Sequence, residues 1–205
     1  MVNVLVASVG GQGGLTLSRV IAVAAVLEGL SVRTGETLGM AQRYGAVVSF
    51  VRLGKRVESP TFGPGEADYL IGLEIVEALR NLHYLSSSGV LVTADELRAP
   101  YTMSFERPRA TRDEIIKELV SRRPNALVLP ARKVAAESGN PRAMNMVLLG
   151  AFHAISGLLR TESLEEAIRA VLPPRAVATS IEAFRRGFQL ASSLSGGIPR
   201  DRGTA

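Results

Sequence analysis

The chain has 205 residues, 46% of them apolar and 21% charged, which is the balance of a globular protein with a sizeable core and excludes disorder over most of its length. It contains no cysteine, so neither a disulfide nor a cysteine-ligated iron–sulfur cluster can form within it, and any electron transfer must use a partner's cofactor. Its net charge of +5 rests almost wholly on arginine, and the basic residues are scattered rather than interleaved with aromatics, so a solvated surface or an anionic ligand or partner is expected and nucleic acid is not.

The longest apolar stretches, residues 20–27 and 144–155, are shorter than the roughly 18 to 20 residues that cross a bilayer. The N-terminus shows neither the basic region nor the cleavage site of a signal peptide. A cytoplasmic protein without membrane contact is the expectation. Two histidines, His83 and His153, are too few and too far apart to suggest a metal site, and none is expected.

In chain order, residues 3–8 form a short β-branched run, the pattern of a strand buried on both faces of a parallel sheet. Glycine dominates residues 10–14, and residues 15–27 follow with the pattern of a helix stopped by Gly29. Residues 31–34 read as a second strand. Residues 45–57 read as a hairpin turning at Gly54, which makes the sheet mixed. Residues 68–73 are a further buried strand leading into a helix over 74–84, and residues 89–93 are the next strand. Residues 99–108 read as a long connection. Thr111 with Glu114 marks a capped helix start, and residues 126–129 are a last strand. Helices follow over 142–159, over 163–171 with Ser163 as cap, and over 174–194; residues 195–205 read as a disordered tail.

Strands alternating with helices predict an α/β fold: one domain over residues 1–194, three layers α/β/α, a mixed and mostly parallel sheet, a Rossmann-like first βαβ unit and a helical C-terminal third. The loop Ser8-Val9-Gly10-Gly11-Gln12-Gly13-Gly14 joins a strand to a helix N-terminus, where unpaired amides and the helix dipole favour an anion. It resembles a dinucleotide fingerprint, but Ser8 stands where the first glycine belongs. Tight strand-to-helix packing is the plainer reading. Glu36, about 20 residues on, is where such a fold would hold a ribose, yet it falls beyond the predicted strand.

Taken together, Val9-Gly10-Gly11-Gln12-Gly13-Gly14, Gly35-Glu36-Thr37-Leu38-Gly39-Met40-Ala41-Gln42-Arg43, Ser59-Pro60, Ala67-Asp68, and Leu73-Glu74 with Glu77-Ala78-Leu79-Arg80 resemble the gamma-type domain of 2-oxoacid:ferredoxin oxidoreductases. Asn145-Met146-Val147-Leu148-Leu149-Gly150 resembles a further family segment, so the likeness runs from about residue 3 to about residue 190. The run Gly39-Met40-Ala41-Gln42-Arg43 resembles the indolepyruvate type. The chain departs from the family pattern at Ser8, Tyr44 and Ser180.

The resemblance implies a subunit, inactive alone, of an enzyme that oxidatively decarboxylates indolepyruvate or another aryl pyruvate to its acyl-coenzyme A and reduces ferredoxin. It implies that thiamine diphosphate, Mg and 4Fe-4S clusters reside on a cysteine-rich large (alpha) partner subunit, through which ferredoxin is reached. No catalytic residue is expected in this chain. Gly10, Gly11, Gln12, Gly13, Gly14 and Arg43 are the expected contacts to coenzyme A or the partner's site, since a guanidinium bonds carboxylates and phosphates bidentately. Glu36, Met40, Gln42 and Tyr44 are expected at the interface. Glu74, Glu77 and Arg80 read more simply as surface pairs on one helix, and Asp68 as a turn residue before its strand. Prepared without its partner, the chain would expose an apolar patch and self-associate as a homo-oligomer. A free-standing nicotinamide or flavin enzyme and a non-catalytic binding protein remain the alternatives.

Overall fold

A computed structural model describes residues 1–38, 45–98 and 110–194, the side chain of Leu38 excepted. Its first strand, β1 (Val2–Val9), sends Val4 and Val6 to one face and Leu5 and Ala7 to the other, all without solvent contact. A strand apolar on both faces must lie inside a sheet covered on both sides. It does so in a six-stranded sheet of order β2-β3-β1-β4-β5-β6, the others being β2 (Ser31–Leu38), β3 (Ala46–Gly54), β4 (Ala67–Gly72), β5 (Leu85–Ala94) and β6 (Leu127–Leu129). Only β3 runs against the rest, pairing antiparallel with β1 and β2, while β1, β4, β5 and β6 are mutually parallel.

One face of the sheet carries α1 (Gly14–Leu27), α4 (Ala131–Glu137), α5 (Met144–Ser156), α6 (Thr161–Val171) and α7 (Pro174–Leu194). The larger core lies there, with Leu17, Ile21, Met146, Leu149, Phe152 and Phe184 against Val6, Ile71 and Val92. The opposite face carries α2 (Ile75–Arg80), a 3-10 turn at Leu82–Tyr84 and α3 (Arg112–Arg122). Its smaller core gathers Phe50, Phe62, Leu70, Ile75, Leu91 and Leu119. The predicted three-layer α/β/α class and helical C-terminal third are what the fold shows.

Several local expectations are corrected. Residues 45–57 do not turn back at Gly54: β3 is hydrogen-bonded on both sides, by β1 and β2, and has no free edge for a third partner. The antiparallel pairing is instead with β2, which runs on to Leu38 rather than stopping at Thr34 and therefore contains Glu36. As β3 lies between β1 and β2, the first βαβ unit is a crossover to a non-adjacent strand. Asp68 is inside β4, where its carboxylate accepts the Asn3 amide at 2.7 Å. The helix over 74–84 breaks into α2 and the 3-10 turn. α5 starts after a 3-10 turn at Pro141–Ala143, and α4 was not anticipated. α6 begins two residues before Ser163, which is buried and does not cap it. The long connection at residues 99–108 and the tail at 195–205 lie outside the described residues.

No helix among the described residues is long and apolar enough to cross a membrane. Nor does any group of three His, Cys, Asp or Glu there have an arrangement that could hold a metal ion.

Candidate functional site

Leaving β1 the chain passes to the α1 face, and leaving β4 it passes to the α2 face. In a doubly wound sheet the crevice opened by that divergence, at the carboxyl ends of the two strands, is where ligands bind. The glycine loop occupies it. Gly13, at the N-cap of α1 with φ of 85°, adopts a left-handed conformation that an L side chain rarely takes, and no side chain caps the helix. The first amides of α1, those of Gly14, Leu15 and Thr16, thus have no acceptor within the helix. They form a ready donor set for an anion or a carbonyl of another chain.

Two amide side chains hold this loop. Gln12 is buried: its Oε1 accepts the Val9 amide at 2.8 Å and its Nε2 donates to the Leu73 carbonyl at 3.2 Å, bridging the ends of β1 and β4. Asn145, at the start of α5, donates from Nδ2 to the Gly13 carbonyl at 3.1 Å and accepts the Met146 amide at 3.0 Å. A Cβ at Gly13 would stand 2.5 Å from that Nδ2, so a side chain there would displace the Asn145 amide as well as strain φ. Gly11 forms the exposed turn with φ of 88°, and no atom lies within 4 Å of where its Cβ would be.

The described residues that flank the segment set by sequence reasoning beside the glycine loop lie near it. Leu38 pairs with Val47 at the end of β2, and the Gly10 amide donates to the Gly45 carbonyl at 2.9 Å. Residues 39–44, with Met40, Gln42, Arg43 and Tyr44 among them, lie outside the described residues. Glu36 is on the edge strand, lining a shallow groove with Arg19, Val23, Val26 and Thr34. It is separated from β1 by β3 and so is not placed as the ribose-holding acid of a dinucleotide fold, where that acid ends the strand next to β1. Without that acid, the free-standing nicotinamide or flavin reading loses its ribose contact.

Further along the same edge stand residues that sequence reasoning read as surface pairs. Glu74 is 1% exposed and caps α2: its two oxygens accept the Glu77 amide at 2.8 Å and the Arg98 amide at 3.1 Å. Burial raises its pKa above the ordinary carboxylate value against those hydrogen bonds. Glu77 is also buried, meets Arg80 at 3.5 Å, and has its pKa raised by desolvation. Arg132 makes a bidentate pair with Glu96 at 2.5 and 2.7 Å, and Arg112 meets Asp95 at 3.4 Å. This end of the sheet offers backbone donors and, in Arg132 and Arg112, arginines already paired with acids. Asn145 was legible as a family segment, but nothing in its spacing announced that its side chain reaches Gly13.

The fold and site therefore define a doubly wound α/β protein that presents a braced glycine loop at one sheet edge. Residues 3–190 match the family model for pyruvate ferredoxin/flavodoxin oxidoreductase, and the chain belongs to that family of oxidoreductases. Among its relatives, the indolepyruvate oxidoreductase subunit IorB of Pyrococcus horikoshii is 36% identical over 195 residues, covering 94% of this chain and 96% of the relative. That of Archaeoglobus fulgidus is 37% identical over 193 residues, covering 93% and 96%. The fold is shared with the crystal structure of the keto/oxoacid ferredoxin oxidoreductase gamma subunit from Geobacter sulfurreducens, at a TM-score of 0.70, 22% identity, and coverage of 94% and 99%. The 2-oxoglutarate:ferredoxin oxidoreductase from Magnetococcus marinus, solved with 2-oxoglutarate, coenzyme A and succinyl-CoA bound, gives a TM-score of 0.69 at 21% identity; 94% of this chain corresponds to 31% of that one.

Proposed function

We propose that this chain is the small subunit of an indolepyruvate:ferredoxin oxidoreductase and serves the reaction by completing the active site of a larger partner. The observation that carries this reading is end-to-end correspondence with indolepyruvate oxidoreductase subunits at 34–37% identity. With no cysteine, the chain cannot ligate an iron–sulfur cluster through thiolates, which supports placing the 4Fe-4S clusters on a cysteine-rich alpha subunit; the family resemblance implies that thiamine diphosphate and Mg reside there too and that this subunit meets ferredoxin.

The glycine loop suits the role of an anion or partner contact. The backbone of Gly10, Gly11, Gly13 and Gly14, with the uncapped start of α1, faces a phosphate of coenzyme A or a loop of the alpha subunit, and Gln12 holds the loop in shape. Arg43 supplies a guanidinium to a carboxylate or phosphate, and Glu36, Met40, Gln42 and Tyr44 meet the partner. Coenzyme A, when bound, accepts the acyl group; this chain's residues orient it and move no proton. The reaction takes place in the cytoplasm. The groove between α1 and β2, with Val26 and Leu27 exposed, accounts for self-association of the chain when its partner is missing.

The test is reduction of ferredoxin or a viologen by indolepyruvate and coenzyme A, with this chain alone, the alpha subunit alone, and both mixed. Activity confined to the mixture is expected. A chain that neither binds the alpha subunit nor raises its activity would overturn the reading.

A further inference from the structure

At the sheet edge opposite the glycine loop, a cleft of about 510 Å³ opens between α2, the 3-10 turn and the end of α3. Leu79 and Leu82 give it apolar wall, and Arg80, His83, Arg122 and Arg123 line the rest. Its position follows from the topology. Leu82–Tyr84 leads directly into β5, whose first residue pairs with the first residue of β4, so the cleft faces the amino ends of these parallel strands.

Acidic partners cancel only part of its charge. Arg123 is pinned by carbonyls, donating from Nη1 to Ser86 at 2.9 Å and Ser87 at 3.2 Å and from Nη2 to Leu85 at 2.9 Å, and no carboxylate shares it. Arg122 is paired with Glu118, but both side chains are about half exposed, where such a pair is weak and leaves the guanidinium available. Arg80 has only Glu77, and the second oxygen of that carboxylate, Oε2, is buried without a partner. Three guanidiniums, one of them held rigid, therefore converge on one cleft with a histidine beside them.

We infer that this cleft is a second anion site, distinct from the glycine loop, that takes a small molecule bearing two or more phosphates. Guanidinium forks match phosphate oxygens bidentately, and a volume of this size is in the range of small-ligand pockets. The inference does not rest on the proposed function, because the two sites lie at opposite ends of the sheet.

The experiment is calorimetric titration of the full chain with pyrophosphate, ADP and adenosine. Two double variants of equal net charge accompany it, Arg80→Gln/Arg122→Gln in the cleft and Arg56→Gln/Arg175→Gln elsewhere. Arg80, Arg122 and Arg56 are exposed by more than half, so these changes do not threaten folding. Expected are binding of pyrophosphate and ADP but not adenosine, with one component weakened at least tenfold in the cleft variant alone; any binding at the glycine loop is the same in both variants. Failure of the native chain to bind either phosphate compound, equal weakening in both variants, or undiminished binding in the cleft variant would each overturn it.

Discussion

Gln12 and Asn145 each use a side-chain amide to join segments far apart in the chain; loss of Gln12 leaves two backbone groups unpaired, while the Gly13 carbonyl keeps the Leu17 amide when Asn145 is lost. Replacing Gln12 by Leu keeps much of its volume but orphans the Val9 amide and the Leu73 carbonyl. An unsatisfied buried group costs about 1–3 kcal/mol, so urea unfolding of Gln12→Leu should show a loss of about 2–4 kcal/mol. Asn145→Ala releases the Gly13 carbonyl; in the reconstituted enzyme it should raise KM for coenzyme A severalfold with KM for the 2-oxoacid unchanged, and equal changes in both would count against the loop as the coenzyme contact. Glu77 gives a pH prediction. Its folded-state pKa lies above its unfolded value, so the native state binds more protons between the two, and the carboxylate weakens the fold as pH rises through that window. Glu77→Gln should therefore raise the melting temperature at pH 8, and the gain should shrink as pH falls through the carboxylate range. At this scale the glycines were legible because φ above zero leaves a compositional mark. The burial of Glu74 and Glu77 was not, because their three-residue spacing is the same on a solvated helix face.

The crossing of α5 and α7 is governed by two glycines. A Cβ on Gly150 would run into the backbone of Phe184, and one on Gly187 into that of Val147. The obstruction is backbone on both sides and cannot rotate away. Gly150→Ala should thus force the helices apart and cost about 3 kcal/mol or more, at the upper end of overpacking effects despite alanine's better helix propensity. A urea or thermal unfolding series of Gly150→Ala beside the exposed control Gly29→Ala measures the contact against the local φ penalty. Elements with strong periodicity or caps were readable in sequence: Thr111 and Glu114 form the expected capping box, and α7 spans the predicted residues. Elements that depend on neighbours were not. Whether residues 45–57 turn back or run on depends on which strands already occupy the edges of β3, and α4, only seven residues long, is stabilised by burying Ala131 and Ala135 in the large core.

For the whole molecule, the doubly wound sheet separates two edges. The carboxyl end of β1 bears the glycine loop, the ends of residues 39–44, and Arg98, where residues 99–109 begin. Hydrogen exchange should report the assembly directly: addition of the alpha subunit should slow exchange at residues 10–16 and leave the arginine cleft at the other edge unchanged. Slowing at the cleft and none at the loop would reverse the proposed orientation. Composition alone determined that this chain carries no thiolate-ligated cluster, because ligands that are not encoded cannot be supplied by folding. The buried strands, the glycine turn and the long helices were likewise written in local apolar pattern and backbone freedom. Tertiary structure alone decided that β3 inserts between β1 and β2, that Gln12 bridges the ends of β1 and β4, and that Asn145 braces the loop from 132 residues away. Those outcomes rest on pairing and packing between distant segments, which no local pattern encodes.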